Sequence, residues 1–70
     1  MDHVVDARGL RCPLPLIRAR AALRGLAAGD TLVVLADDPE APIDLAALAF
    51  DTGRAFTRDG ERLVLAPAEQ

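Results

Sequence analysis

The stretch PLPLIRARAALRGLAAGDTLVVLADD, residues 13 to 38, changes its period near the middle. Up to Gly29 it is rich in Ala, Leu and Arg, all good helix formers. Leu16, Ala19, Ala22, Leu23 and Leu26 recur at spacings of three and four, which puts them on one helix face. Arg18, Arg20 and Arg24 fall off that face. Gly29 reads as the residue just past the helix end. From Asp30 to Asp38 the centre turns apolar and β-branched, the pattern of a buried strand. Upstream, HVVDA (3–7) reads as a first short strand, followed by a Gly-Leu turn. Downstream, DDPEAPIDLAALAFDTG (37–53) reads as a second helix, with Asp38 as N-cap, Pro39 at the first helical position and Gly53 as terminator. Pro42 delays the regular helix by a few residues. RAFTR (54–58) and RLVLA (62–66) are short strands around DGE, a hairpin turn signal, and the tail PAEQ (67–70) is expected to fray.

The element order is therefore β-α-β-α-β-β. With right-handed crossovers both helices lie on one face of a four-stranded mixed sheet. The fold class is an α/β two-layer sandwich, and residues 1–70 make a single domain. The second sheet face is left partly exposed, which a small sheet tolerates.

Composition narrows the function classes. The chain is 51% hydrophobic and 27% charged, a balance that folds rather than staying disordered. Phe50 and Phe56 are the only aromatic residues, so Ala, Leu and Val must fill the core. The net charge is -3 and every basic residue is Arg. Without clustered cations or stacking aromatics, direct nucleic-acid binding is disfavoured. The apolar runs are too short to span a membrane, and MDHVVDARG does not read as a signal peptide. One cysteine cannot form an internal disulfide, which fits a reducing cytoplasm.

That cysteine, Cys12, stands in GLRCPLPL (9–16). A residue before proline is pushed to extended backbone, the conformation a helix N-cap needs. This reading places Cys12 at the N-cap, Pro13 at the first helical position and Pro15 in the first turn, where missing N–H groups cost nothing. A sulfur there meets the positive end of the helix dipole, with Arg8 and Arg11 close in sequence. A lowered Cys12 pKa and a reactive, surface-held thiolate are the expectation. A lone cytosolic cysteine is otherwise an inert small apolar residue.

The stretches DARGLRCPLPLIRARAAL (6–23), GDTLVV (29–34) and LADDPEAPID (35–44) together resemble the TusA/SirA-like sulfur-carrier family, whose hallmark is Cys-Pro-x-Pro after Gly-Leu. The resemblance runs from Val4 to the last strand. It implies a β-α-β-α-β-β sandwich that carries sulfur as a persulfide on Cys12, a sulfurtransferase in the carrier sense. It also implies that Pro13 and Pro15 start the helix, Gly9 and Leu10 present the cysteine, and Asp6 marks the strand exit. The Asp-Asp-Pro segment of the family falls on Asp37, Asp38 and Pro39. Arg18 and Arg20 stand where many relatives have Lys. Leu14 stands between the prolines, where some relatives serving transfer RNA thiolation carry an acid. The implied partners are a sulfur-donor protein, such as a cysteine desulfurase or a rhodanese-like protein, and an acceptor protein. No metal or organic cofactor is implied, and a monomer forming transient complexes is expected. Transfer RNA thiolation, molybdenum cofactor synthesis, sulfur oxidation and selenium handling all stay open as destinations.

Leu14, Ile17 and Ala21 form a second apolar stripe beside Cys12, readable as a docking surface or as scattered exposed residues. Arg18 and Arg20 flank it and would steer acidic partners, or form a solvated face. Asp37 and Asp38 read as helix caps rather than metal ligands, Asp6 as a hydrogen-bond anchor for the Gly9-Leu10 turn, and His3 as a surface residue. A rival reading from another class is a small redox or regulatory binding module that works through Cys12 and the Leu14-Ile17-Ala21 stripe.

Overall fold

A computed structural model describes residues 2–68. The elements run β1 (Asp2–Asp6), α1 (Leu14–Arg24), β2 (Thr31–Leu35), α2 (Ala41–Asp51), β3 (Phe56–Asp59) and β4 (Arg62–Leu65). The expected order is present, and the strands lie in one sheet in the order β1-β2-β4-β3. β1 pairs parallel to β2, β2 antiparallel to β4, and β3 antiparallel to β4. α1 and α2 touch each other, α1 rests on β1 and β2, and α2 rests on β3 and β4. Two layers result, as the sequence predicts.

The register assigns the two faces. Val5, Val34 and Leu63 align across the sheet, as do Leu32, Leu65 and Phe56 one step along. These side chains pack in the core between sheet and helices. The intervening row, Val4, Val33, Val64 and Thr57, lies on the face without helices. Val4 there is 64% exposed, while Val33, flanked by neighbours on both sides, is 2% exposed.

The core face of α1 is as expected. Ala19 is fully buried, and Leu16, Ala22, Leu23 and Leu26 pack partly buried against the same cluster. Pro15 joins them, fully buried. Its ring serves as packing at the second helical position, where no N–H bond is lost. α2 contributes Ala41, Leu45, Leu48 and Ala49. Leu45 makes the large contact, and a Leu-to-Ala change in such a site costs about 2–5 kcal/mol.

Several boundaries differ from the sequence reading. α1 ends at Arg24, not near Gly29, because Gly25 takes the cap position. Leu26 still reaches the core. The Ala27–Asp30 turn is closed by Asp30 Oδ2, which accepts the Ala27 N–H at 3.1 Å. β2 stops at Leu35, since Asp37 and Asp38 turn their side chains to other tasks. α2 starts at Ala41, not Pro39. Asp38 caps the preceding turn, with Oδ2 accepting the Glu40 N–H at 3.1 Å. Pro42, which was expected to delay the helix, sits in its first turn. The expected fraying of the tail holds less well: the Ala68 N–H donates to the Ala28 carbonyl at 2.7 Å. Glu69 and Gln70 lie outside the described residues.

At its other end α2 closes on a Schellman motif. Gly53 has φ +72°, its N–H donates to Phe50, and the Arg54 N–H donates to Ala49 at 2.8 Å. Only a residue without a Cβ takes that φ freely. The motif turns Arg54 inward, to 8% exposure. Its guanidinium donates to the carbonyls of Asp30, Ala66 and Ala27. A single side chain thus ties together the α1–β2 turn, the end of α2 and the segment after β4.

Candidate functional site

The site is built at the edge where β1 and β2 end and both helices begin. The Ala7 N–H continues the ladder to Leu35 at 2.7 Å, and the buried Ala7 methyl anchors the strand exit. The chain then reverses through Ala7–Leu10, closed by Leu10 N–H to the Ala7 carbonyl at 3.2 Å. Gly9, with φ +82°, occupies the third position of this turn, as a type II turn requires. Leu10 folds back onto the core.

Two carboxylates fix this loop. Asp37 Oδ1 accepts the Gly9 N–H at 3.0 Å, joining the segment after β2 to the cysteine loop. Asp6 does not hold the Gly9-Leu10 turn, contrary to expectation. It accepts the Arg8 N–H at 3.1 Å and the Arg8 guanidinium at 2.9 and 2.8 Å. That pairing lowers the Asp6 carboxyl to about 2, with the side-chain bond from Arg8 as the main cause. It raises the Arg8 guanidinium above its usual value.

The helix start is shifted too. Pro13, not Cys12, takes the N-cap position, Leu14 is the first helical residue and Pro15 the second. The Cys12–Pro13 peptide is cis. The Leu14 N–H closes a turn onto the Arg11 carbonyl at 2.8 Å, and the Ile17 N–H makes the first helical bond, to Pro13. Cys12 is thus presented on an exposed loop just ahead of the helix, not on its cap.

Its surroundings reverse the expected electrostatics. Cys12 Sγ donates to Asp44 Oδ2 at 3.1 Å. The thiol is pushed up to about 12, first by this bond, then by partial loss of water, the charge of Asp44 and the nearby Glu40. The helix terminus and arginines were expected to lower it. They do not, because the helix begins beyond the sulfur, Arg8 is drawn onto Asp6, and a carboxylate touches the thiol.

Asp44 and Glu40 are the sulfur's acidic neighbours, and the sequence pattern does not mark them. Asp44 sits in the first turn of α2, where an acid is ordinarily explained by the helix dipole. The signal was topological. β1 and β2 are adjacent and parallel, so the helices that follow them begin side by side.

Around Cys12 the surface is apolar along α1. Leu14 is 45% exposed, Ile17 53%, and Ala21 is also exposed, as the stripe predicted. Arg18 is exposed near it. Arg20 belongs elsewhere. With Leu23, Arg24, Leu48 and Thr52 it lines an open groove of about 260 Å³ between the C-terminal halves of the helices. His3 lies towards the far end of β1, its Nε2 3.7 Å from Asp30 Oδ2. Among the described residues no group of three or more His, Cys, Asp or Glu is arranged to hold a metal ion, and no helix is long and apolar enough to cross a membrane.

Comparison with known proteins agrees with this architecture. The family model described as sulfurtransferase TusA matches residues 3–62. Two Neisseria meningitidis proteins, from a serogroup A and a serogroup B strain, are each 43% identical over 61 residues, covering 87% of this chain and 82% of theirs. Both are described as "Putative sulfur carrier protein". The crystal structure of a SirA-like protein from Desulfitobacterium hafniense superposes with a TM-score of 0.80 at 31% identity, covering 99% of this chain and all of that one. The matched residues run from β1 to the start of β4, and the chain belongs to the TusA family.

Proposed function

We propose that this chain is a sulfur carrier that holds sulfane sulfur as a persulfide on Cys12 and passes it to an acceptor protein. The observation that carries the reading is the placement of the chain's only cysteine. Its thiol is exposed on a short loop fixed by Asp37, the Ala7–Leu10 turn and the helix start at Pro13. A fixed, exposed sulfur suits exchange between large partners better than chemistry on a small molecule in a deep pocket.

The reaction is nucleophilic exchange at sulfur. Cys12 Sγ bonds to the outer sulfur of a donor persulfide, and the donor leaves as a thiolate. A nucleophile of the acceptor later removes the outer sulfur from Cys12. The donor fits the class of cysteine desulfurases or rhodanese-like proteins, and the reducing cytoplasm is the natural compartment for such a thiol. Leu14, Ile17 and Ala21 supply an apolar docking stripe, with Arg18 at its margin. Arg20 lies further along α1 and serves a partner only if the contact extends past the stripe.

Intact mass after incubation with cysteine desulfurase and cysteine, or with rhodanese and thiosulfate, tests this. The wild type gains one sulfur atom, lost again on reduction, and Cys12→Ser gains none. No gain with either donor sinks the carrier reading and leaves a binding module working through the α1 stripe.

A further inference from the structure

We propose that Asp44 carries the Cys12 proton through the sulfur-transfer cycle, as base when sulfur arrives and as acid when it leaves. The inference rests on the reading of Cys12 as the persulfide-bearing residue. A nucleophilic sulfur must lose its proton before or while it forms the new bond. Here the thiol is held in its protonated form, so a preformed thiolate is scarce at neutral pH. The proton must instead leave as the sulfur reacts. Asp44 Oδ2 already accepts the S–H hydrogen bond at 3.1 Å, within the reach a general base needs.

The carboxylate is also well held. Asp44 is half-buried, and its N–H donates to the Glu40 carbonyl at 3.1 Å in the first turn of α2. Glu40 is exposed on the turn before the helix and reaches the sulfur less directly. The charged groups facing Cys12 are thus Asp44 from α2 and Glu40 from the turn before it. On its own loop Arg11 is the chain neighbour, and Arg8 is paired with Asp6.

Both halves of the cycle balance. On loading, Cys12 Sγ bonds to the outer sulfur of a donor persulfide, R–S–SH. The inner sulfur leaves as R–S⁻ with the bonding pair, and the Cys12 proton passes to Asp44. On unloading, an acceptor thiolate bonds to the outer sulfur. The bond from that sulfur to Sγ breaks, Sγ keeps the electron pair, and protonated Asp44 returns a proton to it. No external oxidant or reductant enters. The acid matters most in the second half, because a thiolate leaving beside a carboxylate is otherwise opposed by like charge.

Two readouts on Asp44→Asn test this. The first is alkylation of unloaded Cys12 by iodoacetamide against pH. The variant reacts at least tenfold faster at pH 7 and its midpoint moves down, since the charge opposing thiolate is gone. The second is single-turnover loading from cysteine desulfurase persulfide and unloading onto a thiol acceptor. Loading uses the same nucleophile as alkylation and speeds with it, whereas unloading loses an acid worth about 100-fold or more and slows by about that factor in the variant. Asp44→Glu restores part of the transfer rate. A proton carrier therefore moves alkylation and unloading in opposite directions. If Asp44→Asn speeds alkylation and unloading alike, or leaves unloading unchanged, the carboxylate only restrains the thiol and the proposal falls. Unchanged alkylation with slowed transfer overturns it too, because the carboxylate would then not act on the sulfur. Failure of the wild type to load any sulfur marks the failure of the carrier reading itself, while the alkylation arm still reports the Cys12–Asp44 contact. The thermal melt of each variant shows that it is folded.

Discussion

The two ends of the helical layer treat charge in opposite ways. At the end where the helices begin, Cys12, Asp44, Glu40, Asp6 and Arg8 lie at or near the surface, and their contacts pair one side chain with another. Where α2 finishes, Arg54 is buried and its guanidinium is given over to three backbone carbonyls. One end keeps ionisable groups where a partner or a proton can reach them. The other uses an ion as a structural tie. Chemistry is concentrated where removing a group leaves the core intact, and stability where removing one opens three segments at once.

Arg54→Met is the strongest way to break this contrast. It keeps apolar volume but removes the guanidinium donor from the Asp30 and Ala66 carbonyls, and from the Ala27 carbonyl, which keeps the Asp30 N–H. Charge-assisted bonds of this kind, to partly buried acceptors, place the loss at about 2–3 kcal/mol. Urea unfolding measures it. The folded variant should still alkylate at Cys12 at the wild-type rate. A loss below about 1 kcal/mol would mean those carbonyls find other donors and the two ends are not so different.

Asp37→Ala sharpens the comparison from the other end. It removes the acceptor of the Gly9 N–H, at a cost of about 0.5–1 kcal/mol. Amide exchange should lose protection at Gly9 while amides of β2 and β4 keep theirs. Sulfur loading should slow several-fold, because the cysteine loop is less well fixed. Protection lost across the sheet would show that the loop is part of the core's cooperative unit rather than a separate attachment.

The same contrast explains what was legible in the sequence. Element order and the buried face of α1 follow from local periodicity, which Leu16, Ala19, Ala22, Leu23 and Leu26 carry unaided. The Gly53 stop is local too. Helix starts were less legible: each begins one or more residues later than its Pro and Asp signals suggest, since both prolines that enter regular helix do so at its second position. Cys12 itself stands out in the sequence by its prolines. Its chemical state does not, because Asp44 lies 32 residues away and meets it only through the parallel pairing of β1 and β2. Arg54 was hidden for the same reason. Nothing in RAFTR distinguishes a strand-flanking arginine from one that a Schellman turn directs inward. Local rules give elements, whereas the ionisation of a side chain belongs to whatever the topology sets beside it.

The smallest expected effect concerns Asp6. Its carboxyl is held at about 2 in the folded chain against an ordinary 3.8, mainly by Arg8. A depressed value means the folded state favours the ionised form. The contribution is complete above the unfolded value, near pH 4, and is lost as pH falls through about 2. Both side chains are exposed, so water and salt weaken the pair. Urea unfolding of wild type and Asp6→Asn between pH 5 and pH 2 isolates it. The stability gap between the two proteins should narrow steadily on acidification and shrink further in high salt at pH 5. The same variant leaves Arg8 free within the cysteine loop, so Cys12 alkylation should quicken by a small factor. A gap that is constant with pH would mean that ionisation of Asp6 adds nothing to stability, the Arg8 N–H bond being one that the amide oxygen of the variant also accepts. The ion pair would then be incidental even at the end of the molecule where charge is most exposed.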